Sequence, residues 1–268
     1  MIVSSAAMVA NIEGTATKLG VDLPPAFSDA VADARRLLRE VDFTGAVAEL
    51  NAAAITALRQ GREPGADPLV QRKATEVALA NSGISNAAAQ WAGDTLVELV
   101  NQYADEILTS WAAAIRSDLD TLEAAGDQLE LADLNAADPL LLKRANKLGL
   151  WADSSSAAER ADAAVAGLRY ILKTLAIGFD GPTGIALLIA PDADLPTVTA
   201  IAARATRGTL ATWTAARCGA PLRLPTVRDY CGAVARVTAA KQDKARQAEA
   251  EQQAEAKQPR KPQWQRVR

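Results

Sequence analysis

Histidine is absent from this chain of 268 residues, and cysteine occurs only twice, at Cys218 and Cys231. Without histidine, the protein has neither the commonest general base nor the commonest metal ligand of proteins. Two cysteines cannot complete a four-ligand zinc site, and in a helical intracellular protein they favour free thiols over a disulfide. These absences exclude Ser-His-Asp and Cys-His nucleophile systems. The sequence therefore offers no catalytic residue, no cofactor-binding residue and no metal ligand that we would name.

Aromatic residues are also few, and no long apolar run occurs. Aromatic side chains make up 4% of the chain, whereas 60 of its residues are alanine. Alanine is the best helix former, and strands favour aromatic and β-branched residues. No window reaches the roughly 18 apolar residues that a membrane span needs, and no basic segment precedes the apolar N-terminus as in a signal peptide. We expect an all-α protein of the cytoplasm with no membrane partner.

Signals for helix starts divide the chain into about eight helices. Asp67-Pro68 and Asp138-Pro139 each place an N-cap residue before a proline at the first helical position. Apolar residues at helical spacing over 31–41 and 43–58 predict two short helices that pack together. These patterns favour one or more helical bundles.

Three further segments have a predicted conformation. Ser156 and Glu159 fit a capping box and predict a helix start. A single helix is predicted over 197–216. The only run that could form a strand, 185–189, lacks a partner strand, so we interpret it as a buried extended piece or as a helix start.

An apolar stripe runs through the segment from about 86 to 125. Its larger members recur about 3.7 residues apart, the period of an α-helix; they are Leu96, Val100, Tyr103, Ile107, Trp111, Ile115, Leu119 and Leu122. One unbroken helix here would be about 60 Å long, too long for a domain of this size to cover. We therefore expect these residues to form the interface of a homo-oligomer. The alternative is a kinked helix whose stripe is buried in the chain's own bundle.

Charge separates the C-terminal end from the rest of the chain. Residues 241–268 contain eight basic and four acidic side chains, although the whole chain has a formal net charge of −3. The body is therefore acidic. We predict an N-terminal helical domain over 1–130 with the long helix, a C-terminal helical domain over 131–240, and a charged tail over 241–268. The tail is expected to be helical at first and disordered at its end.

The last ten residues combine four basic side chains with one tryptophan and no acid. A tryptophan with arginines around it can anchor on an acidic protein surface. The same residues could neutralise phosphates and stack on a base of a nucleic acid. Because the acidic body would repel nucleic acid, we favour an acidic protein partner and keep nucleic acid as the alternative. The predicted partner-binding residues are Arg260, Lys261, Trp264, Arg266 and Arg268.

A third hypothesis concerns an enzyme that uses carboxylates and a metal ion. Asp180, Asp192 and Asp194 lie close together in the sequence, and their oxygens could hold Mg²⁺ or Ca²⁺. Ordinary loop structure and helix capping account for the same residues, so no metal site is assigned to them.

Taken together, these features predict a non-enzymatic helical protein that self-associates and docks a partner through its basic C-terminal tip. An alanine-rich helical body with a long self-associating helix and a short basic end resembles assembly proteins of tailed bacteriophages, such as scaffolding or minor head components. The resemblance implies a virion-associated protein of the head-assembly process.

Overall fold

In the computed structural model of this protein, the described residues are 5–179, 181–205 and 211–257. The described residues are predominantly helical and contain no strand. The predicted all-α class is confirmed. The physical reason is the composition, since alanine supports helices and the sequence has few residues that favour strands.

The helices follow one another with short connections. In chain order they are α1 (Ser5–Leu19), α2 (Pro25–Glu40), α3 (Ala46–Arg59), α4 (Pro68–Asn81), α5 (Ile84–Ala114), α6 (Arg116–Gly126), α7 (Pro139–Arg144), α8 (Leu148–Thr174), α9 (Gly181–Leu187), α10 (Leu195–Arg204), α11 (Ala211–Ala216) and α12 (Val227–Lys257). The two short helices expected over 31–41 and 43–58 correspond to α2 and α3.

Both predicted Asp-Pro helix starts are confirmed. The Asp67 carboxylate accepts a hydrogen bond from the backbone N–H of Leu69 at 2.9 Å, and α4 begins at Pro68. The Asp138 carboxylate accepts one from the N–H of Leu140 at 2.8 Å at the start of α7. In each case the carboxylate satisfies an N–H that the helix itself leaves without a partner.

The predicted helix start at Ser156 is wrong. α8 begins at Leu148, and Ser156 and Glu159 lie exposed within it. The chain turns just before α8, where Asn146 has a φ of 54°. No proline follows inside α8 to end the backbone hydrogen bonding, so the capping pattern lies inside a continuous helix.

The single helix predicted over 197–216 is also wrong. α10 ends at Arg204, and Ala205 is extended with a ψ of 105°; the chain is helical again from Ala211. The run 185–189 is not a helix start either: its first three residues are the last three of α9, which covers Gly181–Leu187, and Leu188 and Ile189 follow in a buried turn.

The chain forms two compact units, and each contains two stretches of sequence. Unit 1 contains Met1–Ile107 and Tyr170–Ile177, and unit 2 contains Leu108–Arg169 and Gly178–Arg268. This division differs from the predicted boundary near residue 130. Two of the three dividing points lie inside α5 and α8, where no turn residue marks them in the sequence, and the third lies after α8, between Ile177 and Gly178.

The core of unit 1 includes α1, α2 and the first part of α5. Val9, Ile12 and Phe27 have no exposed surface. The ring of Phe27 meets that of Tyr103 edge to face, with 6.1 Å between the centroids. Arg35 of α2 forms a two-pronged ion pair with Glu13 of α1, at 2.6 and 2.8 Å.

The core of unit 2 includes α6, α8 and α11. Trp213 is buried, and its indole N–H donates to the Leu131 carbonyl oxygen at 3.1 Å. Arg160 of α8 donates to the Asp118 carboxylate of α6 at 2.9 Å. Unit 2 thus combines a buried tryptophan with polar contacts between its elements.

The central apolar stripe is interrupted and buried. α5 ends at Ala114, and Ile115, with φ −103° and ψ 5°, separates it from α6. The expected 60 Å rod is therefore wrong, since 31 residues span about 46 Å. Seven stripe residues are at most 5% exposed, and Tyr103 is half-buried; the seven are Leu96, Val100, Ile107, Trp111, Ile115, Leu119 and Leu122. The stripe is buried within the chain, as the alternative expected, so it needs no second copy to cover it and gives no reason to assign these eight residues to an oligomer interface.

Gly126 tests how closely the helices of unit 2 approach. A Cβ atom at Gly126 would lie 2.8 Å from the backbone oxygen of Ala216. We expect Gly126→Ala to lower the free energy of unfolding by about 1–3 kcal/mol, because backbone atoms must move to make room. Urea unfolding measures this change.

Gly232 provides the matched control. It lies inside α12, and a Cβ atom there would meet nothing within 4 Å. Gly232→Ala should raise the free energy of unfolding by up to about 1 kcal/mol through helix propensity. A Gly126→Ala protein as stable as the native chain would contradict the close contact.

Candidate interaction surface on the C-terminal helix

The first turns of α12 are anchored in unit 2. The Thr226 hydroxyl accepts a hydrogen bond from the N–H of Asp229 at 3.1 Å, which caps the helix. Tyr230, Ala233 and Val237 are buried and follow one another at helical spacing. This apolar face ends at Val237.

Arg223 adds a polar connection at the same place. Its guanidinium forms a bidentate ion pair with the Asp192 carboxylate, at 2.9 and 3.1 Å. It also donates to the Asp229 carboxylate of α12 at 2.6 Å. These hydrogen bonds lower the pKa of both carboxyl groups and raise that of Arg223. The backbone N–H of Arg223 also donates to the Ile189 carbonyl oxygen at 2.8 Å. The loop after α9, the segment before α12 and α12 itself are thereby joined.

The structure gives two of the three candidate metal ligands other partners. Asp192 pairs with Arg223, and the Asp194 carboxylate accepts from the N–H of Thr197 at 2.9 Å at the start of α10. Asp180 lies outside the described residues. In the part of the chain that the structure describes, no group of three His, Cys, Asp or Glu side chains is arranged to hold a metal ion. Asp192 and Asp194 therefore have structural partners in unit 2.

Asp162 has a perturbed carboxyl group. Burial raises its pKa, although hydrogen bonds from Thr212 and Ala211 oppose the shift. Its carboxylate accepts from the Thr212 hydroxyl at 2.7 Å and from the Thr212 N–H at 3.2 Å. A raised pKa is one mark of a catalytic acid. Here the carboxylate holds the beginning of α11, a structural role.

Beyond Val237, α12 continues into solvent. Its residues 241–257 are named the arm here, and every side chain from 241 to 253 is exposed. These thirteen residues extend over about 20 Å. Within the arm, Nη1 of Arg246 lies 3.6 Å from Oδ1 of Asp243, in an ion pair between residues one helical turn apart. The arm therefore keeps a helical form without burying an apolar face.

A groove of about 560 Å³ lies between α10 and the first part of the arm. We name it the α10–α12 groove; its lining residues are Leu195, Pro196, Thr199, Lys241, Lys244, Ala245 and Ala248. The Lys241 ammonium donates to the Thr183 hydroxyl at 2.9 Å. Apolar atoms from both helices thus lie beside two cationic side chains.

The residues predicted from the sequence are only partly placed by the structure. The partner-binding residues Arg260, Lys261, Trp264, Arg266 and Arg268 lie outside the described residues. The arm leads along the chain toward them. Sequence reasoning did not find Leu195 and Pro196, because they line a groove only when α10 lies beside a helix some 45 residues away.

Three further findings concern the chain rather than this surface. Comparison of the chain with protein-family models, with curated proteins and with solved structures finds no match to any of them. Cys218 and Cys231 are free thiols, as predicted. Within the described ranges, no helix combines the length and the hydropathy that crossing a bilayer requires.

The Arg223 network predicts a pH-dependent contribution to stability. The lowered pKa values of Asp192 and Asp229 mean that this stabilisation is present above about pH 4 and is lost as the pH falls through the lowered values. Arg223→Gln should cost about 0.5–1 kcal/mol at pH 7, since water screens these partly exposed groups, and less at pH 2.5. Urea unfolding at both pH values measures the difference.

Arg228→Gln is the control, because Arg228 is an exposed arginine in the first turn of α12. Its effect should be under about 0.5 kcal/mol at either pH. An equal loss for Arg223→Gln at pH 7 and pH 2.5 would contradict the proposed network.

Asp162→Asn should show the opposite pH dependence. The raised pKa means that the native carboxyl group contributes most below about pH 4 and loses that contribution as the pH rises through its raised value. Asparagine keeps the acceptor oxygen for Thr212 but is never charged. The stability of the variant relative to the native chain should therefore increase between pH 3 and pH 7.

The measurement is the free energy of unfolding at pH 3, 5 and 7. Asp153→Asn, at an exposed carboxylate of the same helix, controls for net charge. A relative stability of Asp162→Asn that falls with rising pH would overturn this assignment.

Proposed function

We propose that this protein is a non-enzymatic binding protein that presents the C-terminal end of α12 to an acidic protein partner. The observation that carries the proposal is the continuation of α12 beyond Val237, with every side chain from 241 to 253 exposed. The arm and the basic residues after it form the docking element. The body, anchored through Arg223 and Tyr230, holds it in place.

An exposed helix of this kind is well suited to binding. Helix formation has a costly nucleus, and the buried turns of α12 provide that nucleus for the arm. The arm is therefore ordered before a partner arrives. Binding through such an ordered helix costs less conformational entropy than binding through a segment that must fold when the partner arrives.

The chemistry of the α10–α12 groove indicates the kind of partner. Leu195, Pro196 and Ala248 offer apolar contact, and Lys241 and Lys244 place two positive charges at the same groove. An amphipathic segment with one apolar side and nearby carboxylates would match both features. The basic tip, with Trp264 and Arg266, adds positive charge and an aromatic anchor in the same direction along the chain.

Two other functions receive less support. Nucleic acid would meet repulsion from the acidic body, so it stays the alternative partner of the tip. The likeness to bacteriophage assembly proteins depended on a self-associating central helix. Because the stripe of that helix is buried within the chain, the likeness loses that support and the phage assignment stays a prediction.

Binding of defined probes tests the proposal. The full chain is titrated against a labelled 20-residue amphipathic peptide of Glu, Leu and Ala, its Lys-for-Glu counterpart, and a 20-nucleotide single-stranded DNA. We expect the acidic peptide to bind at least tenfold more tightly than either other probe. Lys241→Glu combined with Lys244→Glu should weaken its binding about tenfold.

Lys143→Glu combined with Arg144→Glu is the matched control. It makes the same change of net charge at exposed residues of α7 in the same unit. This pair should leave the affinity for the acidic peptide within about twofold. Equal weakening by both pairs, or tighter binding of DNA than of the acidic peptide, would refute the proposed docking site.

A further inference from the structure

A second groove of about 560 Å³ lies within unit 2, between the α5–α6 junction and the segment that connects α11 to α12. We name it the α6 groove. Its volume is in the range of sites that bind small ligands. None of its described lining residues belongs to the arm, so a ligand here would be separate from the partner proposed above.

The middle of the α6 groove is apolar. Ala112 of α5 is half-buried, and Leu119, Leu222 and Leu224 are at most 9% exposed. The small alanine side chain leaves room beside these leucines. An apolar group of a ligand would therefore lose contact with water by entering the groove.

Four charged side chains line the same groove, and two of them are already paired. Arg223 is held by its two carboxylates, and the Glu123 carboxylate accepts from the N–H of Leu222. Arg116 and Asp120 have no ion-pair or hydrogen-bond partner for their side chains in the part of the chain that the structure describes. They lie four residues apart on α6, so both are on one side of the helix. One cation and one anion thus remain available to a ligand.

The segment beside α6 adds a backbone donor. The side chains of Leu222 and Leu224 are buried, whereas Arg223 between them is half-exposed and its N–H donates to the Ile189 carbonyl oxygen. This alternation is typical of an extended chain, in which the N–H groups of residues two apart point to the same side. The N–H of Leu222 points to Glu123, on the wall of the groove.

The N–H of Leu224 therefore points to the groove as well. Within the described residues it has no acceptor, although Leu224 is only 3% exposed. Backbone N–H groups that are buried without a partner are rare, because each one costs free energy. An acceptor oxygen of a ligand would satisfy this one.

We propose that the α6 groove binds a dipeptide with free ends and apolar side chains. Its carboxylate pairs with Arg116, its ammonium pairs with Asp120, and its amide oxygen accepts the N–H of Leu224. Its side chains lie against Ala112 and Leu119. This ligand matches both free charges, the unpaired N–H and the apolar surface at once.

The spacing of the two charges selects the length of the ligand. Residues four apart in an α-helix are separated by about 6 Å along its axis. Two extended residues span at most about 7 Å, so the ends of a dipeptide reach both side chains. A free amino acid carries its charges within one residue, about 3.5 Å, and would reach only one of them.

Calorimetric titration of the full chain with the dipeptide Leu-Leu tests the proposal. We expect Leu-Leu to bind at least tenfold more tightly than free leucine or N-acetyl-Leu-Leu-amide, which lacks both charges. Arg116→Gln and Asp120→Asn should each weaken the binding of Leu-Leu at least fivefold.

Arg144→Gln and Asp127→Asn are the matched controls, because they remove exposed charges of the same unit outside the groove. Each should leave the affinity for Leu-Leu within twofold. The arm variant, Lys241→Glu combined with Lys244→Glu, should also leave it within twofold, which separates this site from the proposed docking element.

NMR of the backbone amides provides a second measurement that needs no substitution. On saturation with Leu-Leu, the amide proton of Leu224 should move downfield as its hydrogen bond forms. The amide of Ala220, already bonded to the Ala215 carbonyl oxygen, should move little. An unchanged Leu224 amide, equal binding of the blocked peptide, or equal losses for the groove variants and their controls would each overturn the proposal.

Discussion

Close approach of helices through small side chains is the constraint on which this structure depends. The buried face of α8 includes Ala157, Ala158, Ala161 and Ala164, each at most 3% exposed. Gly126 lies so near the backbone of Ala216 that no Cβ atom fits between them. Each alanine buries little apolar area, so the few large side chains provide much of the hydrophobic stabilisation. Trp111 and Trp213 are the largest of these that are fully buried.

The same constraint accounts for the surfaces that the protein exposes. α3 packs on α4 through Ala53, Ala57 and Leu50 and leaves Val47, Ile55 and Leu58 exposed. α12 buries Tyr230 and Val237 and then continues with every side chain from 241 to 253 exposed. One surface is apolar, whereas the other is charged and extended. They therefore suit different partners.

Ion pairs of Arg223 anchor α12, the helix that carries the charged arm. Arg223 joins Asp192 and Asp229, and a guanidinium between two carboxylates fixes the base of α12 more specifically than apolar contact alone. Asp192 and Asp194 were the best candidates for a metal site in the sequence, because acidic residues near one another are ligands in many proteins. Their partners in the structure come from Arg223 and from the backbone of α10. Spacing along the chain could not distinguish these two roles.

The sequence by itself determined the helical class and the Asp-Pro helix starts at Asp67 and Asp138. These features depend on local propensity and capping, which act within a few residues. Only the tertiary structure decided which helical faces are buried. The stripe from Leu96 to Leu122 is covered, although its length suggested exposure, and Leu58 is exposed, although its spacing suggested burial. Apolar periodicity marks a face of a helix, but what lies against that face depends on elements distant in the chain.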